Sequence, residues 1–147
     1  MLKLAIGCCL LLSFPTYGQV QDKASVISVV DELFEGMRQG DSARVHRVFA
    51  TPAQLHTITQ EGALSETSLA RFLAAIGTPH DEVWDERVSS YEVQIDGPLA
   101  SVWTPYTFYR DTTLSHCGVN AFQLIRRPEG WKILQITDTR RQEGCQH

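Results

Sequence analysis

His116 is the residue of this sequence that is best suited to act on a ligand. It falls in a strand pattern that places Asn120 on the same face, with Tyr106 and Trp103 nearby. An imidazole in such a setting can bind a polar group of a ligand or exchange a proton with it near neutral pH. The alternative is a structural histidine whose ring nitrogens bond to the backbone or to a carboxylate.

Two further residues extend this candidate site. His56 stands in a short strand pattern between apolar neighbours, so it can point into the same cavity or be a buried structural residue. Asp138 can pair with a histidine as an acid–base dyad, or form a salt bridge with Arg140 or Arg87. His116 and Asp138 are therefore the catalytic candidates. The predicted ligand pocket comprises His56, Trp103, Tyr106, His116 and Asn120.

The residue pattern predicts neither a metal site nor a cofactor site. The five histidines are scattered, and His116 and Cys117 are adjacent on a strand, so their side chains point to opposite faces. The sequence contains no phosphate-binding loop, dinucleotide fingerprint, nucleophile-elbow serine or H-E-x-x-H motif. We therefore expect no cofactor and favour a binding protein over an enzyme.

The N-terminal half of the chain predicts the helices that would support this site. Apolar residues recur at helical spacing over 25–37, and Asp41 or Ser42 can cap a second helix. Residues 54–59 predict a short strand, and Ser65 is expected to cap a third helix. The second half then changes to the two-residue period that is typical of strands.

Four long strands are predicted over 91–95, 99–109, 116–126 and 131–139. Helices followed by a meander of strands indicate an α+β fold rather than alternating strands and helices. No internal repeat or second domain boundary is present.

The register of the last two strands decides which side chains share a face. A four-residue turn pairs Arg126 with Trp131, and continuing this pairing places Asn120 opposite Thr137. The register therefore predicts that Asp138 points to the face opposite His116 and Asn120. That second face also carries Val119, Ile125, Leu134 and Ile136.

The first 18 residues have the layout of a secretory signal peptide. Lys3 gives a positively charged start, and an apolar run follows over 4–14 before a proline. Cleavage after Gly18 would leave Gln19 as the new N-terminus, whereas the alternative is a buried N-terminal helix. We expect an exported protein, periplasmic or secreted, with no membrane anchor after cleavage.

The cysteines and the net charge narrow the class further. Cys8 and Cys9 would leave with the signal peptide, whereas Cys117 and Cys145 form an even pair that should be oxidised outside the cytoplasm. Two free thiols are the alternative. The formal net charge of −4 argues against a nucleic-acid partner, because such proteins need a basic surface.

The order helix, helix, strand, helix and four long strands resembles the nuclear transport factor 2-like superfamily over roughly residues 22–141. In the second half the motifs are similar to those of exported bacterial members of unassigned function. These motifs are WTPY (103–106), SHCG (115–118), GWKI (130–133) and DTRR (138–141). The resemblance implies a cone in which a strongly bent antiparallel sheet wraps around the helices and leaves a pocket, with 142–147 as a tail.

Two interpretations of function follow. The favoured one is an exported protein that binds a small, partly apolar ligand in the cone pocket or acts as an accessory module. The alternative is an isomerase-, dehydratase- or hydrolase-like enzyme that uses a pocket histidine with an aspartate. We also expect a homodimer through the outer sheet face, because its apolar residues would be costly to leave in water.

Overall fold

The structure is a computed structural model that describes residues 17–145. Residues 1–16 of the predicted signal peptide lie outside this part, so export stays a prediction; Cys8 and Cys9 lie there too. No helix among the described residues is long and apolar enough to cross a membrane.

Within residues 17–145, three helices precede or interrupt the early strands: α1 (Tyr17–Arg38), α2 (Ser42–Val48) and α3 (Leu69–Gly77). The chain leaves α1 through Gly40, whose φ of +65° suits a residue without a Cβ. Asp41 then caps α2, because its carboxylate accepts a hydrogen bond from the Arg44 N–H at 2.8 Å. The cap predicted at Asp41 or Ser42 is therefore resolved in favour of Asp41.

Seven strands form one sheet in the spatial order β2-β1-β7-β6-β5-β3, with β4 also paired to β5. The strands are β1 (Phe49–Ile58), β2 (Leu64–Thr67), β3 (Trp84–Val88), β4 (Glu92–Asp96), β5 (Leu99–Arg110), β6 (Thr113–Arg127) and β7 (Gly130–Thr139). The α+β class is confirmed. The sheet is mixed rather than wholly antiparallel, because β1 runs parallel to β7.

The sequence prediction was wrong where short strands replace expected helix or loop. Ser65 does not cap α3, because it lies in β2, which pairs with the end of β1. The cap is Ser68, whose hydroxyl accepts a hydrogen bond from the Arg71 N–H at 3.2 Å. The strand β3 was not predicted, because its five residues include three charged ones.

The core lies between α1 and the inner face of the sheet. Phe34 of α1 meets Phe122 of β6 edge to face, with ring centroids 6.1 Å apart. Leu33, Leu124 and Ile133 are almost completely buried around this contact. The helix therefore packs against the inner face of the sheet, and its residues Leu33, Phe34 and Met37 also line a cavity there.

The register of β7 differs from the prediction because of a β-bulge. Leu124 pairs with Ile133 as predicted, but Gln123 pairs with Gln135, so Leu134 is an extra residue. Side chains alternate along a strand, so one inserted residue moves all later ones to the other face. Asp138 pairs with Asn120 and is buried on the inner face.

This bulge overturns two predicted orientations. Ile136 was expected on the outer face, but it is 8 % exposed and belongs to the core. Asp138 was expected on the face opposite His116, but both residues line the same cavity. The physical reason is the same for both, because each follows Leu134 in the chain.

Cys117 and Cys145 form a disulfide with a Cα–Cα distance of 5.6 Å. Two backbone hydrogen bonds of 2.9 Å join Cys117 to Arg141. The bridge therefore holds the C-terminal tail against β6, and this pairing lies directly beside His116.

Removing the disulfide should destabilise the fold. We expect Cys145→Ser to lower the free energy of unfolding by about 3–4 kcal/mol, since the bridge closes a long loop in the unfolded chain. Urea denaturation under non-reducing conditions measures the change, with Gln142→Ser in the same tail as the control. Equal stabilities of these two variants would contradict the prediction.

Candidate functional site

A cavity of about 250 Å³ lies between α1, α3 and the inner face of the sheet. Its larger wall is apolar and combines side chains from both helices with side chains from the strands. This wall consists of Leu33, Phe34, Met37, Leu55, Phe72, Trp84, Phe108, Phe122 and Ile136. Such a surface favours contact with rings or short aliphatic groups rather than with ions.

The rest of the cavity lining is polar, is built mainly from strands, and is called the polar wall below. Its members come from β1, β3, β5 and β6, and from the end of β7 and the residue after it. They are Thr57, Glu86, Tyr106, Arg110, His116, Asn120, Asp138 and Arg140. Three of these carry carboxyl or imidazole groups that can exchange protons, so their hydrogen bonds decide what the wall can do.

Asp138 organises the polar wall through three hydrogen bonds. Its Oδ1 accepts from the Thr57 hydroxyl at 2.5 Å, and its Oδ2 accepts from Arg140 Nε at 2.8 Å and from the Tyr106 hydroxyl at 3.2 Å. Both carboxylate oxygens are therefore occupied. This arrangement suits a residue that positions its neighbours better than one that removes a proton from a ligand.

Tyr106 reaches this network because β6 carries a glycine beside it. The Tyr106 hydroxyl also donates to the Thr139 carbonyl at 3.0 Å. A Cβ on Gly118 would lie 1.8 Å from that carbonyl oxygen, so only glycine permits this close approach. Burial raises the pKa of Tyr106 well above its usual range, and the nearby carboxyls of Glu86 and Asp138 add to this effect. The phenol therefore stays a hydrogen-bond donor.

His116 is a neutral ring in this wall. Its ring lies 5.0 Å from that of Phe108 and 5.8 Å from that of Tyr106, measured between centroids. Burial lowers the pKa of His116 to about 4, the positive charges of Arg140 and Arg110 act in the same direction, and Asp138 acts against them. Its Nδ1 lies 3.0 Å from Ser115 Oγ rather than against the Asp138 carboxylate.

Glu86 is the functional candidate that sequence reasoning missed. Its Oε1 accepts a hydrogen bond from Asn120 Nδ2 at 2.6 Å. Burial raises the pKa of Glu86 to about 7 and Asp138 adds to this, whereas the Asn120 hydrogen bond and Arg140 oppose it. The available signal was alternation, because Glu86 is in phase with the apolar Trp84 and Val88 on either side.

Residues 21–137 match the model of a protein family described as "Putative lumazine-binding". The chain belongs to this family. The match covers most of the chain and includes every residue of the polar wall except Asp138 and Arg140. No functionally curated protein is similar to the chain at a significant level.

Solved structures confirm the nuclear transport factor 2-like fold. An "NTF2-like protein with a cystatin-like fold" from Novosphingobium aromaticivorans has a TM-score of 0.70 at 12 % identity, covering 87 % of this chain and 86 % of its own. An NTF2-like protein of unknown function from Shewanella baltica has a TM-score of 0.66 at 15 % identity, and the match covers 88 % of this chain and 100 % of that protein. A "putative dehydratase" from Streptomyces avermitilis has a TM-score of 0.68 at 15 % identity, and the match covers 84 % of this chain and 99 % of that protein.

The structure brings together most of the predicted site residues. Tyr106, His116 and Asn120 line the cavity. His56 borders it, but alternation along β1 directs its ring to the face opposite Leu55. Trp103 does not belong to the cavity, because it lies on the outer face of β5 and is 51 % exposed.

No cluster of three or more metal-ligating side chains occurs within the described part of the chain. His116 and Asp138 share the cavity but are not joined by a hydrogen bond in the described contacts, and Asp138 is held by other donors. The predicted histidine–aspartate pair is therefore adjacent in space without forming a dyad. Glu86 is the carboxyl of this wall that titrates near neutral pH.

Glu86 should make stability depend on pH. Its pKa of about 7 in the folded state exceeds the ordinary value of 4.5. The folded state therefore binds the proton more tightly, and the free energy of unfolding falls as pH rises through that window. We expect Glu86→Gln to match the wild type near pH 4.5 and to exceed it by about 1–3 kcal/mol near pH 8.

Urea denaturation at the two pH values measures this difference. Glu92→Gln is the matched control, because Glu92 is an exposed carboxyl on the neighbouring strand β4. A stability difference between Glu86→Gln and the wild type that is the same at both pH values would show that Glu86 does not titrate in this window.

Proposed function

We propose that the domain binds a small, partly apolar molecule in its cavity. The observation that carries this proposal is a single cavity whose lining combines a large apolar surface with a hydrogen-bonded polar network. The volume of about 250 Å³ is slightly below that of common ligand sites, so the fitting ligand is about the size of one or two fused rings.

The polar wall supports binding because it is organised before a ligand arrives. Asp138 fixes Tyr106 and Arg140, and Glu86 fixes Asn120. Groups that are already held in place lose little freedom when a ligand binds, which favours affinity. The family description supports the same class of ligand, since lumazine is a two-ring heterocycle.

Proton transfer to or from the bound molecule is the second candidate function. It is favoured by Glu86, a carboxyl in the cavity wall whose pKa of about 7 suits both donation and acceptance of a proton. Glu86, rather than Asp138, would act, with neutral His116 as a hydrogen-bond partner of the ligand. Catalysis requires that Glu86→Gln abolish turnover while the ligand still binds.

Export and pairing of two copies rest on the sequence and stay proposals. The outer sheet face carries Leu99 and Trp103, each about half exposed, next to partly buried Val119, Ile125 and Leu134. A second copy on this face would remove apolar surface from water. Light scattering tests the pairing: a dimer mass would support it and a monomer mass would contradict it.

N-terminal sequencing of the protein tests export. A sequence that begins near Gln19 would support it, and an intact Met1 would contradict it.

Filling the cavity from its edge tests the binding function. Thr67 lines the cavity, whereas its neighbour Glu66 is exposed and points to the other face of β2. We expect Thr67→Trp to weaken binding of lumazine or indole at least about tenfold, and Glu66→Trp to leave it unchanged. Isothermal titration calorimetry measures the Kd values. Binding of neither probe by the wild type, or equal binding by both variants, would contradict the proposal.

A further inference from the structure

Two arginines stand where the cavity meets the surface. Arg110 and Arg140 both line the cavity, yet their side chains are 56 % and 54 % exposed. Arg140, His116 and Thr57 also line a second groove on the outside of the domain. These shared residues mark the mouth of the cavity, and the two guanidinium groups lie there.

The carboxyl groups that line the cavity itself do not fully balance this positive charge, whereas the outer groove adds Glu61 and Glu143 beside Arg141. Asp138 compensates Arg140, which it contacts at 2.8 Å. Arg110 Nε lies 3.8 Å from Glu82 Oε2. This ion pair is weak, because Glu82 is half exposed to water and does not line the cavity. Glu86 is bonded to Asn120, and burial raises its pKa toward neutrality. Because Glu86 is about half ionised at pH 7, the charged groups that line the cavity leave an excess of about half a positive charge.

His116, Arg110 and Arg140 line the same cavity. The positive charges of both arginines act on the His116 ring in the same direction, because each contributes to lowering its pKa. Within the described contacts, Arg140 reaches Asp138 through Nε, so its terminal nitrogens remain available as donors. A ligand atom beside His116 therefore meets positive charge and free N–H donors together.

We propose that the ligand is an apolar carboxylic acid whose carboxylate lies at the mouth beside Arg110, Arg140 and His116, with its ring or chain in the inner cavity. This inference rests on the proposed binding function and names the chemical class of the ligand. A carboxylate suits guanidinium donors, because the two groups match in shape and charge.

The position of the charged groups makes this arrangement favourable. At the mouth the carboxylate keeps part of its hydration, so the cost of removing it from water is small. The apolar part of the molecule faces Phe72, Trp84 and Phe108 and leaves water completely. A cationic ligand would instead lie beside two guanidinium groups, and a neutral one would gain hydrogen bonds from them but no attraction between opposite charges.

Benzoate and benzamide form a matched pair of probes, because they have nearly the same shape and differ in charge. We expect the wild type to bind benzoate about tenfold more tightly than benzamide, by isothermal titration calorimetry. Arg110→Gln and Arg140→Gln should each reduce this preference to about threefold or less, and Arg110→Lys should retain part of it. Raising the salt concentration should weaken binding of benzoate only.

Arg127→Gln is the control, since it removes the same charge from an exposed position at the far end of β6. Arg110→Gln decides the test if Arg140→Gln disturbs Asp138. Equal affinity for benzoate and benzamide would overturn the carboxylate inference while leaving the binding function intact. So would binding of indole without binding of benzoate. Failure of benzoate, benzamide, indole and lumazine alike would overturn the binding function itself.

Discussion

A strand can present only every second side chain to one face, so the single extra residue in β7 decides the composition of the cavity. Leu134 is that residue, and it turns Ile136 and Asp138 inward. Without it, Gln135 and Thr137 would face the helices and the carboxylate would point outward. Thr57, Tyr106 and Arg140 would then lose the acceptor that they share.

The inward position of Asp138 affects the position of Arg140 and the pKa values of other groups in the polar wall. The carboxylate places Arg140 at the mouth of the cavity, and Arg140 contributes to keeping His116 neutral. Asp138 also adds to the raised pKa of Glu86, although burial is the main cause. The Cys117–Cys145 bridge holds the tail beside the same strand ends. The cavity therefore combines Asp138, whose two oxygens accept hydrogen bonds, with Glu86, whose pKa is raised to about 7, and with two arginines at its mouth.

Strong periodic patterns in the sequence were sufficient to predict the helices and the long strands. They also predicted that His116 and Asn120 lie on one face of the sheet. The inward turn of Asp138 could not be predicted, because a bulge changes register without changing composition. Glu86 was missed because a short, charged strand resembles a solvated loop, although alternation with Trp84 indicated its face. The prediction of Trp103 in the pocket was wrong, because its position on β5 is out of phase with the inward Tyr106 and places it on the outer face.

Cross-strand contacts in solution test the role of the bulge most directly. Nuclear Overhauser spectroscopy of the labelled protein distinguishes two pairings of β6 with β7. The bulged register requires contacts between Asn120 and Asp138 and between Phe122 and Ile136. Contacts between Asn120 and Thr137 and between Phe122 and Gln135 would instead show a regular ladder, and would place Asp138 outside the cavity.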